Sequence, residues 1–496
     1  MRPIPRGLGK ARSTPVGPVR CLTVTTVLVG TLACERTGAS GDREAAKPSA
    51  VAEVWLTTGD QAQLLARQPN LLIAVTDTTS GVPTITVDEE TMFQEMVGFG
   101  GAMTDASAWL IQQRLSATQR DSLLRDLFGP EPGIGLSFTR LTIGASDFSH
   151  THYSLDDVPP GQIDPTLARF SIEPNRRDVL PAVKQALAIN PQLTVMASPW
   201  SAPAWMKTSG SLIKGTLRRD AYPAFAEYLR RYTEAYEAEG VPIFAVSLQN
   251  EPHHEPGDYP GMRLTPAQRA ELLEQHVGPL FARRGIRTRI LEWDHNWDEP
   301  ESPLSVLADS GARTYVSGVA WHCYAGDVSA QTQVRDAHPD KDVYFTECSG
   351  GEWAPNWGDN LTWNVRTLII GATRGWAKGV LLWNLALDEN HGPHLGGCGN
   401  CRGVVTIDSA TGAVTRNVEY YALAHASRFV RPGARRIEST AAIEGLESVA
   451  FRNRDETKVL LVVNAAAAER QFTVRTGRGI FASTLPAAAV ATFRWH

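Results

Sequence analysis

Residues 244–251, FAVSLQNE, join a short apolar run to a glutamate. The run Phe244–Gln249 has the length of a buried strand, and Glu251 stands just beyond its end. Further along, Pro266–Arg284 has the apolar spacing of a helix, with Thr265 as N-cap and proline at the first helical position. This stretch therefore predicts a strand that carries an acidic residue to its end and is followed by a helix.

The same alternation runs from Val97 to about Leu423. Helical patterns separate the apolar runs, most clearly at Asp178–Ile189 and Tyr222–Glu239. The strand candidates are Val97–Gly101, Ser137–Ile143, Leu193–Ser198, Phe244–Gln249, Thr288–Trp293, Val316–Tyr324, Val343–Glu347 and Val380–Asn384. Eight such units predict an α/β fold, a (β/α)8 TIM barrel over residues 97–423.

On both flanks of this region, the apolar residues do not show the spacing of a long helix. Residues 51–96 contain strand-like runs, and residues 424–496 contain four more, broken by Gly, Asn and Pro. We expect a β-sandwich side domain formed from both ends of the chain.

The N-terminus has the pattern of an export signal. Residues 1–33 contain five basic residues and no acidic ones. The basic residues all precede the apolar stretch Cys21–Ala33, which is too short to span a bilayer comfortably. Thr31-Leu32-Ala33-Cys34 is similar to a bacterial lipoprotein signal, in which lipidated Cys34 would be the first mature residue and a membrane tether. An ordinary cleaved signal and an uncleaved anchor stay open. Residues 34–50 are polar and predict a flexible tether, so we expect a periplasmic, cell-surface or secreted protein.

Net charge and cysteine content narrow the range of possible partners and cofactors. A formal net charge of -5 argues against a nucleic-acid partner held by a basic face. Cys323 and Cys348 stand in apolar strand patterns and are expected to be small buried fillers. Cys398 and Cys401 form a single CxxC, for which a local disulfide is favoured over zinc in an exported protein.

Two of the predicted strands deliver a glutamate to the same end of the barrel. Strand four leads to Glu251 and strand seven ends at Glu347. Active sites of these barrels lie at the carboxyl ends of the strands. Hydrolysis of a glycosidic bond needs two carboxyl groups, one to protonate the leaving oxygen and one to attack or to activate water.

Other strand ends carry groups suited to a sugar. Arg and Asp can hydrogen-bond to hydroxyls, and Trp can stack on the sugar face. These residues are Arg140, Asp147, Trp200, Trp205, Asn250, His322, Tyr324, Trp383 and Asn384. Together they predict a polar, aromatic-lined pocket.

Metal and serine chemistry are not indicated. His253-His254-Glu255 lacks the spacing of a zinc helix, and no GxSxG is present. We expect no metal and no cofactor.

Six segments in register resemble family 30 glycoside hydrolases, in the glucosylceramidase-like (glucocerebrosidase-type) branch and its bacterial members. They are GFGGAMTDASA (98–108), RLTIGASDFS (140–149), SPWSAPAWMK (198–207), SLQNEP (247–252), FTECSG (345–350) and WNLALD (383–388).

The resemblance implies a retaining mechanism with Glu251 as acid/base and Glu347 as nucleophile. It implies that Asn250 binds the sugar 2-hydroxyl, and that His322 and Tyr324 support the nucleophile. It also implies that three residues hold the sugar unit: Asp147, Trp200 and Trp383.

The leading hypothesis is a retaining β-glycosidase of the glucosylceramidase or β-glucosidase type, acting on a β-linked glucoside or glucan. An endo-β-1,6-glucanase or a β-xylosidase of the same family is the alternative within enzymes. A surface carbohydrate-binding lipoprotein without catalysis is the alternative outside them.

Overall fold

The computed structural model describes residues 50–75 and 81–496. The predicted signal peptide, Cys34 and nearly all of the predicted tether lie outside these residues, so they stay predictions. Within the described part of the chain, no helix is both long and apolar enough to cross a membrane.

Three antiparallel-sheet strands precede the barrel. They are β1 (Val51–Thr58), β2 (Ala66–Leu72) and β3 (Thr84–Glu95). The chain then enters the region predicted to alternate between strand and helix.

Eight parallel strands close the barrel, as predicted. The strands that follow β3 are β4 (Gly98–Gly101), β5 (Phe138–Ile143), β6 (Thr194–Pro199), β7 (Ile243–Ser247), β8 (Arg289–Asn296), β9 (Val316–His322), β10 (Asp342–Glu347), β11 (Gly350–Gly351) and β12 (Ala377–Leu382). The barrel order is β10-β12-β4-β5-β6-β7-β8-β9, with β11 outside it. No observed end of a barrel strand lies more than three residues from its predicted end.

Helices surround the barrel. They are α1 (Asp105–Trp109), α2 (Ala117–Phe128), α3 (Val179–Ile189), α4 (Tyr222–Ala238), α5 (Pro266–Glu271), α6 (Gly278–Arg284), α7 (Glu301–Ala308), α8 (Ser310–Tyr315), α9 (Ser329–Ala337), α10 (Trp357–Trp363), α11 (Ala372–Arg374) and α12 (Val418–Ser427). Three π-helical segments extend them: Leu110–Arg114, Leu272–Val277 and Asn364–Gly371. Short 3-10 turns occupy Glu173–Asn175, Ala204–Met206 and Arg219–Ala221.

The helix predicted over Pro266–Arg284 is continuous but changes its pitch. Thr265 accepts a hydrogen bond from the Gln268 N–H, and the Gln268 side chain bonds back, which makes a capping box at its start. A π-helical segment joins α5 to α6. Gly285 ends the helix at φ 65°, a left-handed conformation that glycine adopts without strain.

Short strands after β12 shape the mouth of the barrel. They are β13 (Ala386–Asp388), β14 (Cys401–Arg402), β15 (Val405–Ile407) and β16 (Val414–Arg416). Strands β13, β15 and β16 form one small sheet, and β11 pairs with β14 in another.

The remaining strands build the side domain with the first three. They are β17 (Arg435–Ser439), β18 (Ala442–Ile443), β19 (Leu446–Arg452), β20 (Lys458–Asn464), β21 (Arg470–Thr476), β22 (Gly479–Leu485) and β23 (Ala489–Trp495). Strand β3 pairs with β17 along one part and with β21 along another, so it belongs to both layers. Phe472 and Phe481 pack on Phe493 between the layers, which confirms the predicted β-sandwich built from both chain ends.

The cysteines form two disulfides. Cys398–Cys401 has the local pairing favoured from the sequence. The expectation of unpaired fillers at Cys323 and Cys348 is wrong, because these two residues also form a disulfide. Adjacent parallel strands β9 and β10 bring their following residues together, although the two cysteines are 25 residues apart.

Candidate active site

Glu251 and Glu347 lie at the carboxyl ends of β7 and β10. Glu347 is the last residue of its strand, and Glu251 follows β7 in a bend with φ 48°. The backbone N–H of Glu251 donates to the carbonyl of Asp294 at 3.0 Å, which fixes the bend against β8. The structure thus brings together the two glutamates that the sequence predicts as a pair.

One imidazole nitrogen lies beside both carboxylates. His322 Nδ1 is 3.1 Å from Glu251 Oε1 and 3.9 Å from Glu347 Oε1. The Tyr324 hydroxyl donates to Glu347 Oε1 at 2.9 Å, and Arg140 donates to the other oxygen of Glu347. The two carboxylates therefore face one another within a single hydrogen-bonded cluster.

A buried aspartate that the sequence analysis missed holds this cluster together. Asp294 accepts from Arg140 at 2.7 Å and from His322 Nε2 at 3.1 Å, and its side chain is fully buried. It also accepts from three hydroxyl groups, those of Ser198, Ser247 and Thr346. Burial opposes its ionisation, but the Arg140 charge and the His322 hydrogen bond hold the pKa of Asp294 well below its ordinary value.

Arg140 and His322 were predicted to contact the sugar, and the structure corrects both. Arg140 has no exposed surface, and its guanidinium donates hydrogen bonds to Glu347, Asn250 and Asp294. His322 is also fully buried, and its hydrogen bonds go to Glu251 and Asp294, so it contacts the predicted acid/base more closely than the predicted nucleophile. Both residues hold the two predicted catalytic glutamates in place without lining the cavity.

Two other strand-end residues are used in packing. The Trp205 indole donates to Asp156 at 2.8 Å and is half-buried. Asn384 is fully buried and accepts a hydrogen bond from the Thr104 hydroxyl. Neither lines the cavity above the glutamates.

The protonation of the cluster depends on its neighbours. Burial opposes a charge on His322, but the Glu347 charge and the bonds to Asp294 and Glu251 raise the pKa of His322 to about 9. Burial also opposes a charge on Glu251, yet His322 and nearby histidines lower the pKa of Glu251 to about 2. Burial raises the pKa of Glu347, against the opposing charges of His322 and Arg140. In the free site, these shifts favour a protonated His322 beside an ionised Glu251, so that the pair holds one proton.

A cavity of about 390 Å³ opens above the glutamates. The rings of Trp200 and Trp383 stack on one another, 4.9 Å apart, and both line this cavity with Asn250 and Tyr324. Asp147 lines it too, and burial with the charges of the two glutamates raises the pKa of Asp147 well above its ordinary value. Both effects favour the neutral form of the Asp147 carboxyl group.

Loops, the end of β8 and β14 supply further lining residues that were not predicted as site residues. They are His254, Tyr259, His295, Asn296, Trp353, Gly397 and the disulfide pair Cys398 and Cys401. His254 and Tyr259 come from the loop after Glu251, and their side chains contact one another at 3.1 Å. His253 and Glu255, next to them in the sequence, point to Glu299 and to the Gly215 N–H, so the three do not converge on a metal.

Glu251, His295 and His322 place ligand atoms within 4.8 Å of one another, the spacing of a metal site. A ligating imidazole needs a free nitrogen, whereas both nitrogens of His322 are occupied by hydrogen bonds to Glu251 and Asp294. The arrangement of these three residues therefore suits a hydrogen-bonded His322 better than a bound metal ion. Independence from metal stays a prediction, and activity after chelation checks it.

Two largely buried carboxylates at the mouth of a (β/α)8 barrel, in a cavity walled by tryptophans and polar groups, define a glycoside hydrolase. Comparison with models of known protein families agrees with this class. The glycosyl hydrolase family 30 TIM-barrel domain matches residues 96–430, and the family 30 beta sandwich domain matches residues 433–493. The chain belongs to glycosyl hydrolase family 30.

Relatives show which members the chain resembles. It is 35% identical to an endo-1,6-beta-D-glucanase of Neurospora crassa over 405 residues, 78% of this chain and 82% of the relative. It is 28% identical to the lysosomal acid glucosylceramidase of Mus musculus, covering 83% of each chain. A solved endo-beta1,6-glucanase matches with TM-score 0.83 and 30% identity, over 90% of this chain and 99% of that one.

Proposed function

We propose that the chain is a retaining β-glycosidase that cleaves β-1,6-linked glucan. The observation that carries the proposal is the pair Glu251 and Glu347, whose carboxylates flank the same nitrogen of His322 at 3.1 and 3.9 Å. Two carboxylates beside one imidazole can act on the same glycosidic bond, and membership of family 30 favours direct attack by one of them.

Glu347 acts as the nucleophile. Tyr324 and Arg140 donate to its oxygens and stabilise its charge. An oxygen of Glu347 attacks the anomeric carbon and displaces the leaving oxygen, which takes a proton from Glu251. Water then attacks the glycosyl-enzyme, Glu251 accepts the proton from that water, and the bond to Glu347 breaks.

His322 provides the proton that Glu251 needs. In the free site, the His322 charge keeps Glu251 ionised across a 3.1 Å hydrogen bond. A bound substrate excludes water from Glu251, which disfavours the ion pair and moves the shared proton to the carboxyl group. The alkaline limb of activity then reports loss of the one proton of the His322–Glu251 pair, and the acid limb reports protonation of Glu347.

The substrate assignment is supported by the relatives. The endo-1,6-glucanases of Neurospora crassa and Trichoderma harzianum are 35% and 34% identical to the chain, against 28% for the mouse glucosylceramidase. The order of preference from the sequence analysis, glucosylceramide or a simple glucoside first, is therefore reversed. Release of glucose or oligosaccharides from pustulan, compared with glucosylceramide and xylan, tests the substrate.

Azide rescue tests the two roles. Glu347→Ala should abolish turnover, with added azide giving the α-glycosyl azide. Glu251→Ala should retain activity on dinitrophenyl glucosides, whose leaving groups need little acid help, with azide giving the β-azide. Proton NMR should show the β-anomer as first product of the wild type. An α-anomer, or reversal of the azide products, would show that the roles are wrong.

We also propose export with cleavage before Cys34. The support is the basic and apolar pattern of residues 1–33. Mass spectrometry of the mature N-terminus should find Cys34 first, and an acyl mass on it decides between a lipid-tethered and a soluble exported form.

A further inference from the structure

A second cavity continues from the wall of the catalytic cavity. Its volume is about 630 Å³, and it shares Tyr324 and Trp353 with the catalytic cavity. Its lining includes α10 and the N-cap residue of that helix, with Asn356, Asp359 and Trp363. A ligand that fills the catalytic cavity and is longer than that cavity can therefore continue into this groove.

The groove holds the exposed tryptophans of the protein. All thirteen tryptophans lie in the described residues, and the two most exposed of them are Trp353 (55%) and Trp363 (39%). Both line this groove, together with Tyr324, whose ring is 45% exposed while its hydroxyl contacts Glu347. Flat aromatic faces left in water beside a sugar-cleaving site match the apolar faces of further sugar rings.

The aromatic side chains are fixed before any ligand binds. The Trp353 ring packs on the backbone at Gly351, where an added Cβ would come within 2.0 Å of it. Gly351 is held by pairing of β11 with Cys401–Arg402, and the Cys323–Cys348 disulfide forms part of the groove wall. The Asn356 side chain caps α10, the helix that ends with Trp363. A rigid platform loses little conformational entropy when it binds.

Polar groups lie between the rings. Asn356 and Asp359 are exposed at the groove, while Asn360 and Asn364 are buried behind it and bonded to one another. Exposed amide and carboxylate oxygens can accept hydrogen bonds from sugar hydroxyls while the rings stack. This composition favours a neutral polysaccharide over a lipid tail, which would need a continuous apolar surface.

We propose that the groove of Tyr324, Trp353 and Trp363 binds sugar units of a β-glucan chain that lie beyond the unit held at Glu251 and Glu347. The inference rests on the proposed function for the identity of the glucan. It makes Trp363, which has no part in the catalytic cavity, a determinant of chain-length preference. A substrate with one sugar gains nothing from the groove, whereas each longer chain contacts it.

The test compares substrates of increasing length. For Trp363→Ala, kcat/KM on β-1,6-gluco-oligosaccharides of four or more units should fall about tenfold, equivalent to about 1.4 kcal/mol. Hydrolysis of an aryl β-glucoside should stay within about twofold, and Trp363→Phe, which keeps a flat ring, should recover most of the loss. Trp109→Ala removes a half-buried tryptophan elsewhere and controls for general damage. Equal losses on short and long substrates, or no loss on either, would overturn the proposal.

Binding to an inactive variant separates this proposal from the substrate assignment. Calorimetric titration of Glu347→Gln, with and without Trp363→Ala, uses β-1,6-, β-1,4- and β-1,3-gluco-oligosaccharides of two to six units. Weaker binding without Trp363 for the longer chains of any one linkage supports the groove, even if pustulan is not hydrolysed and the proposed substrate is wrong. If Trp363→Ala changes binding for no linkage or length, the groove proposal fails whatever the enzyme cleaves.

Discussion

Asp294→Asn should move the alkaline limb of activity to lower pH. Asp294 is fully buried, and its carboxylate accepts from His322 Nε2 at 3.1 Å and from Arg140 at 2.7 Å. Asparagine keeps the shape but removes the charge that stabilises protonated His322. The proton shared by His322 and Glu251 should then be lost at lower pH, and acid catalysis should be lost with it.

The size of the shift follows from the bond that is weakened. A hydrogen bond to a charged group contributes about 1.5–3 kcal/mol, and one pKa unit equals about 1.36 kcal/mol, so the shift is about one to two units. The pKa of His322 is about 9 in the native cluster. In the variant it should lie at about 7 to 8, which brings the alkaline limb into the neutral range.

A second buried carboxylate on β8 supplies the control. Glu292 pairs with Arg269 at 2.8 Å and has a fully buried side chain, but it contacts neither catalytic glutamate. Both Asp294→Asn and Glu292→Gln should lower the free energy of unfolding by about 3–5 kcal/mol, because each breaks a buried pair. Only Asp294→Asn should change the pH profile of kcat/KM on an aryl glucoside. An unmoved alkaline limb in Asp294→Asn, or the same shift in Glu292→Gln, would refute the proton-sharing mechanism.

Three further outcomes are expected. Replacing both Cys323 and Cys348 by Ser should lower the free energy of unfolding by about 3–4 kcal/mol in urea, and an unchanged urea midpoint would contradict a stabilising cross-link. Burial lowers the pKa of His425 to about 3. The free energy of unfolding should therefore fall as the pH drops below about 6.5, by up to about 1.4 kcal/mol per pH unit. Urea unfolding curves from about pH 7 to 4 should show a less steep fall in His425→Gln, and equal slopes would contradict this account. Because burial and the two glutamate charges favour neutral Asp147, Asp147→Asn should keep about tenfold more kcat/KM than Asp147→Ala on an aryl glucoside, and equal losses would rule out a hydrogen-bonding role.

The barrel and the two glutamates at its mouth could be predicted because both depend on local pattern. Buried parallel strands are short apolar runs, and the fold places the residue after each run at the same mouth. The position of Glu347 at the end of β10 needs no other information. Asp294 was missed for a local reason: the strand was predicted to end at Trp293, whereas β8 continues to Asn296.

Roles that depend on side-chain direction could not be predicted. A polar residue near a strand end can face the cavity, as Asp147 does, or turn inward to a neighbouring strand, as Arg140 does. The pairing of Cys323 with Cys348 depends on the register of β9 beside β10, which the apolar pattern does not specify. Trp353 stands in a loop, where no periodicity marks an exposed position.

The two disulfides bear on the cellular compartment as well as on the site. Cys398–Cys401 lines the catalytic cavity, and Cys323–Cys348 lines the groove beside it. Both cross-link segments at the mouth of the barrel and so hold the side chains that line the two cavities in place by covalent bonds. Such bonds persist where the surroundings are oxidising, and cytosolic reductants would open them. Two disulfides at the mouth are typical of exported proteins and therefore support the export proposed from the pattern of residues 1–33.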